Sequence, residues 1–143
     1  MTGAGRRSKT VATWLAVAGG SLGLHRFYLR GAGDPWAWLH LPPTLVGVYG
    51  FWRMREYGTD DRLGSLLVPL FGAMVAATML WAIVCGLTPD ERWNNRFASH
   101  GAPTRSGWTT IAAVIVALAL GATVTMATIA FVAQRYFEWT APT

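Results

Sequence analysis

The chain has 143 residues, of which 52% are apolar and only 13% charged, with a net charge of +5. Soluble domains carry about 25% charged residues, so the composition speaks against a soluble fold. It also excludes nucleic acid as a partner, because the basic residues stand at segment ends, in company with eight tryptophans, rather than along one face.

After Arg6, Arg7 and Lys9, residues 11–24 carry no charge, and His25-Arg26-Phe27-Tyr28-Leu29 follows. Taken through Leu29, this first segment is close to the roughly 20 residues that span hydrocarbon. The basic start and Ala16-x-Ala18 also fit a cleavable leader, although its apolar region would be at the short end of the usual range. Residues 35–52 form a second segment, broken by Pro42-Pro43, and a short zwitterionic turn over 53–62 contains Gly58. Residues 63–87 form a third segment without a single charge.

The connection 88–107 opens with Thr88-Pro89-Asp90-Glu91. That is a helix start, with Thr88 as N-cap, proline in the first helical position and Glu91 closing a capping box. Trp93 and Phe97 fall on one face and Gly101 ends the pattern, so a short amphipathic helix on the outer membrane surface is expected. Residues 108–133 form the fourth segment, again without a charge.

The expected fold is an all-α integral membrane protein of four transmembrane helices in two hairpins. A basic tail (1–10) precedes the first hairpin (11–57), and the second helix pair (58–143) contains the amphipathic helix in its loop 88–107. Trp36, Trp38 and Trp52 bracket the second segment, Trp108 opens the fourth, and Tyr136 and Trp139 close it, as rings at the headgroup level do. With the N-terminus inside, seven basic residues fall inside and five outside. That weak bias places both termini in the cytoplasm of a bacterial inner membrane.

Helices in lipid associate through small residues. Ala113, Ala117, Gly121 and Thr125 make such a stripe on the fourth segment, and Ala12, Ala16 and Gly20, with Gly19 and Gly23 beside them, make one on the first. The third offers Gly72 and Ala76, and Thr123, Thr125 and Thr128 are expected to return their hydroxyls to the helix backbone.

The first hairpin would bring His25 and His40 to similar depth, with Asp34 in the turn near Arg26 and Arg30. A polar cluster of His25, Arg26, Asp34 and His40, flanked by Phe27 and Tyr28, is the candidate site. Its expected role is to pin the hairpin, with a protein partner or lipid headgroup as the alternative occupant. Two histidines and an aspartate on separate elements lack the local spacing of a metal motif, so neither metal nor cofactor is expected. Cys85 is the lone cysteine and reads as a small packing residue.

The stretch Gly19-Gly20-Ser21-Leu22-Gly23-Leu24-His25-Arg26-Phe27-Tyr28-Leu29 resembles the signature of the TM2-domain family, in its bacterial form. Gly19, Gly20, Gly23, His25, Arg26, Phe27, Tyr28 and Leu29 are the matching positions, and the likeness covers roughly residues 9–57. It departs at Arg30, where the family usually has Gly, and after Trp52, where Arg53 replaces an Asp. The resemblance implies a two-helix hairpin whose motif loop faces the cytoplasm, opposite to the side given by the arginine count.

Nothing in the chain looks catalytic, since neither Ser65 nor Cys85 has a partner evident in the sequence. The expected function is that of an accessory or partner-binding membrane protein. Its partners are the bilayer and another membrane protein or a second copy. The alternative is a small transporter or channel component. Pro42-Pro43 favours that alternative by freeing backbone carbonyls, and the uncharged third and fourth segments oppose it.

Overall fold

The computed structural model describes residues 7–97, 103 and 105–141. Its elements are α1 (Lys9–Gly19), a 3-10 turn (Gly20–Leu22), α2 (Leu24–Arg30), α3 (Pro35–Trp38), α4 (Leu41–Tyr57), α5 (Arg62–Leu87), α6 (Asp90–Phe97) and α7 (Trp108–Thr140). There is no strand among the described residues. Two helices, α5 and α7, are long and apolar enough to cross a membrane. At 1.5 Å per residue they measure about 39 and 50 Å.

The axis of the molecule is α5. The Asp61 carboxylate accepts the Gly64 N–H at 2.8 Å and starts it, and it runs to Leu87 through Pro69. On one side α4 runs antiparallel to it, with Gly47 against Phe71 and Gly50 against Leu67 and Val68. On another, α7 runs antiparallel, with Gly86 against Val114, Met79 against Gly121 and Gly72 against Thr128. At each of these glycines an added Cβ would fall under 3 Å from its neighbour, so small residues set the close approach. Ala113 and Ala117 are fully buried, as the stripe predicts. Thr125 is exposed and Thr128 takes its place against α5. The hydroxyls of Thr123, Thr125 and Thr128 donate to the carbonyls four residues back, at 2.7–2.9 Å.

The first segment departs from expectation. Instead of one helix over residues 11–29, α1 ends after 11 residues at Gly19, and Gly23 takes φ +77° before α2 begins. At about 17 Å, α1 is too short to cross hydrocarbon. It packs against the upper part of α5, with Thr13 near Gly86 and Gly20 against Thr78. Then α2 turns back: Leu29 joins Ala12, Cys85 and Trp93 in one buried cluster, and Tyr28 reaches Ser8. The cause is three glycines within five residues, which let the chain reverse where a single helix would otherwise continue.

The second segment also differs in its break. The chain bends at Leu39-His40, and Pro42-Pro43 sit in the first turn of α4. Missing N–H groups cost nothing there, so the prolines open a helix rather than interrupt one. Because α4 starts level with the end of α1, the two stack along α5, and the Thr44 hydroxyl donates to Ser21 O at 2.6 Å.

This packing sets residues 9 and 135 near opposite ends of α5. Lys9 reaches Thr88, Asp90 and Ser106 at one end of α5, while Arg135 and Trp139 lie beside Ser65 and Leu66 at the other. The return of α2 adds one reversal that a four-helix reading of the sequence lacks.

Candidate functional site

The polar cluster forms where α2, α3 and the start of α4 meet α5. His25 is 2% exposed, and its ring lies edge-on to His40 at 5.6 Å and tilted against Trp81 at 6.2 Å. Its Nδ1 is buried and accepts or donates no hydrogen bond among the described residues. The His40 Nδ1 meets Trp36 O at 2.6 Å, which fixes that ring on the α3 backbone.

Arg26 donates to Asp34 Oδ2 at 3.2 Å and its guanidinium lies 5.7 Å from the Trp81 ring and 5.9 Å from Trp36. Asp34 is 7% exposed and does two tasks, since Oδ1 also accepts the Trp36 N–H and starts α3. Thus His25 and His40 pair on one side of the cluster and Arg26 and Asp34 on the other. Trp81 of α5 touches both halves. An indole inside an otherwise uncharged segment is the signal that could have placed it there, since tryptophans favour segment ends.

The flanking residues lock the hairpin. Phe27 packs edge-on against Trp38 at 5.2 Å, and the Tyr28 Oη accepts the Ser8 N–H at 2.9 Å. Gly19 lies against Leu24, and Gly23 against the carbonyl of Ala37, so α1, α2 and α3 approach through glycine backbone. No group of three or more His, Cys, Asp or Glu among the described residues is placed to hold an ion.

A second polar node went unforeseen. Lys9 is 4% exposed, and its ammonium donates to Thr88 O at 2.6 Å, Ser106 Oγ at 2.7 Å and Asp90 Oδ1 at 3.0 Å. Bonds from Ser106, foremost its hydroxyl, hold the Asp90 carboxyl down from 3.8 to about 2, with Lys9 adding to the effect. The expected capping box at Thr88 is replaced, because the Thr88 hydroxyl turns back to Val84 O at 2.6 Å. The expected helix itself is present as α6, with Trp93 and Phe97 in contact at 4.6 Å. Trp93 is buried and donates to Arg7 O at 3.1 Å, while Gly101 lies outside the described residues. A lysine in a basic tail carries no local pattern that would mark it as buried, which is why the node was invisible.

The chain matches no family model, no curated protein and no solved structure at a significant level.

Proposed function

We propose that this chain is a small multi-pass membrane protein of accessory, non-catalytic role that binds another membrane component through its His-Arg-Phe-Tyr face. In this reading α5, α7 and the α3–α4 unit cross the bilayer, while α1 and α2 form a re-entrant hairpin reaching about halfway. The carrying observation is exposure: only 28% and 6% of the most apolar stretches of α5 and α7 are buried. A core helix of a soluble protein would be mostly buried, and apolar faces of this extent need lipid or a partner to cover them.

Orientation follows from the same arrangement. Arg7, Lys9, Arg26, Arg30, Arg92, Arg96 and Arg105 fall at the end of α5 that carries Lys9, against Arg53, Arg55, Arg62 and Arg135 at the other. Seven against four among the described residues supports a cytoplasmic hairpin end. The TM2-like signature supports this side, because it implies a cytoplasmic motif loop.

A photoreactive residue at Leu39, which is exposed beside the cluster, tests the role in native membranes. A reproducible protein or lipid adduct, lost with His25→Ala and Arg26→Ala, is the expected result. No adduct above that of a probe at Tyr57, exposed at the other end, would overturn it. The transporter reading draws on the half-length helices meeting beside buried His25, since broken helices at depth serve ion paths. Proteoliposome flux that depends on His25 or His40 would put that reading first.

A further inference from the structure

Arg26 and Arg30 of α2 and Arg92 and Arg96 of α6 line one cleft of about 260 Å³, beside Leu29, Trp81, Val84, Cys85 and Trp93. We propose that this cleft is a binding site for the phosphate of an anionic lipid. The proposal rests on the membrane reading above and names the ligand class that the hairpin face takes.

The first argument is charge. Of the four arginines, Arg26 alone has a carboxylate partner, Asp34. Arg30, Arg92 and Arg96 make no ion pair among the described residues. Nearby acids do not neutralise them: Asp90 is engaged by Lys9 and Ser106, and exposed Glu91 does not line the cleft. Arg92 and Arg96 stand four apart on one stripe of α6, held there by buried Trp93 on the neighbouring stripe. Arginines gathered from two helices without counter-charge need an anion, and guanidinium groups fit phosphate in paired hydrogen bonds.

The second argument is shape and place. The cleft is far above the roughly 10–15 Å³ that one water occupies, so it holds a headgroup-sized body. It lies where α5 ends at Thr88, the level at which headgroups meet the hydrocarbon. Its wall runs onto Trp81 and Val84, which are exposed on the outer flank of α5, with exposed Leu87 beyond them. A phosphate in the cleft therefore has an apolar surface beside it for an acyl chain, which a free phosphate would not use. The cytoplasmic side assigned to this end is also the side on which anionic lipid attracts basic segments.

Native mass spectrometry of the whole protein tests the site, with phosphatidylglycerol, phosphatidylcholine and inorganic phosphate as separate probes. Selective retention of phosphatidylglycerol is expected. Arg92→Gln with Arg96→Gln is expected to weaken it about 25-fold, at about fivefold per arginine. Both side chains are exposed, so the fold should survive. Arg55→Gln with Arg62→Gln removes the same charge at the other end and is expected to change little. Val84→Trp keeps every charge, fills the cleft, and should also lower retention. Equal loss in both arginine pairs, no loss in either, or inorganic phosphate held as tightly as the lipid would each overturn the proposal. Carbonate extraction of the same variants keeps the two readings apart. A protein that stays in the membrane without lipid preference fails here alone, and one that leaves the membrane fails both.

Discussion

The Tyr28 hydroxyl accepts the Ser8 amide at 2.9 Å, which returns the chain, twenty residues on, to the level at which α1 began. That contact makes α1 and α2 a hairpin rather than one continuous helix, and under the proposed membrane reading it yields a topology prediction. In a Cys85→Ala background, Gly33→Cys and Pro103→Cys should react from the same side as an N-terminal tag, and Thr59→Cys from the opposite side. Gly33 has open space for a side chain and Thr59 and Pro103 are exposed, so none should disturb the fold. A tag detected on the Thr59 side would mean that the first segment crosses.

Asp34 combines an ion pair with a helix cap, and two substitutions separate these roles. Asn keeps the capping oxygen for Trp36 but removes the charge that faces Arg26. Asp34→Asn should therefore cost about 1.5–3 kcal/mol, the range for a hydrogen bond to a charged group. Asp34→Ala should cost about 1 kcal/mol more, through the lost cap. Unfolding in mixed micelles measures both. Equal costs for the two variants would show that the cap contributes nothing.

How much of this was legible follows from the range of each interaction. The uncharged runs that become α5 and α7 and the Trp93–Phe97 face of α6 are local patterns, and the helices form there. The pairing of His25 with His40 and of Arg26 with Asp34 was also readable, because a hairpin of any kind brings them together. The reversal at Gly23 was not. Hydropathy sums residues 11–29 as one segment, whereas the outcome depends on a positive φ and on Leu24 folding back over Gly19. Burial of Lys9 was equally hidden, since its three partners lie 79 to 97 residues away.

The Asp90 node gives a pH dependence. Its folded-state value of about 2 lies below the ordinary 3.8, so the contribution of the node is fully present above that ordinary value. It is lost as pH falls through about 2, when the carboxyl protonates and releases Lys9 and Ser106. The Ser106 amide donates to Asp90 Oδ2 at 2.8 Å and reports on this directly. Its proton resonance should titrate with a midpoint near 2 and show no such transition in Asp90→Asn. A midpoint near 3.8 would mean that the node is not formed in solution.

Three glycines of the hairpin region form a graded test of its tightest point. Gly33 has no positive φ and open space, so Gly33→Ala should stay within about 0.5 kcal/mol of the parent. Gly31 has equally open space but combines φ +79° with ψ −178°, a region open essentially to glycine alone, so Gly31→Ala carries backbone strain alone, about 1–3 kcal/mol. Gly23 has φ +77°, and a Cβ there would stand 2.6 Å from the Ala37 carbonyl oxygen. Backbone atoms of α3 cannot move aside as a flexible side chain would, so steric conflict adds to the left-handed strain that ψ 12° implies, about 1–2 kcal/mol. Gly23→Ala should therefore cost about 2–5 kcal/mol, the sum of that strain and the overpacking, and exceed the backbone term alone. A cost at Gly23 of no more than about 2 kcal/mol, the left-handed strain alone, would show that Gly23 and Ala37 do not meet at this distance, and with it the close seat of His25 beside His40 would be lost.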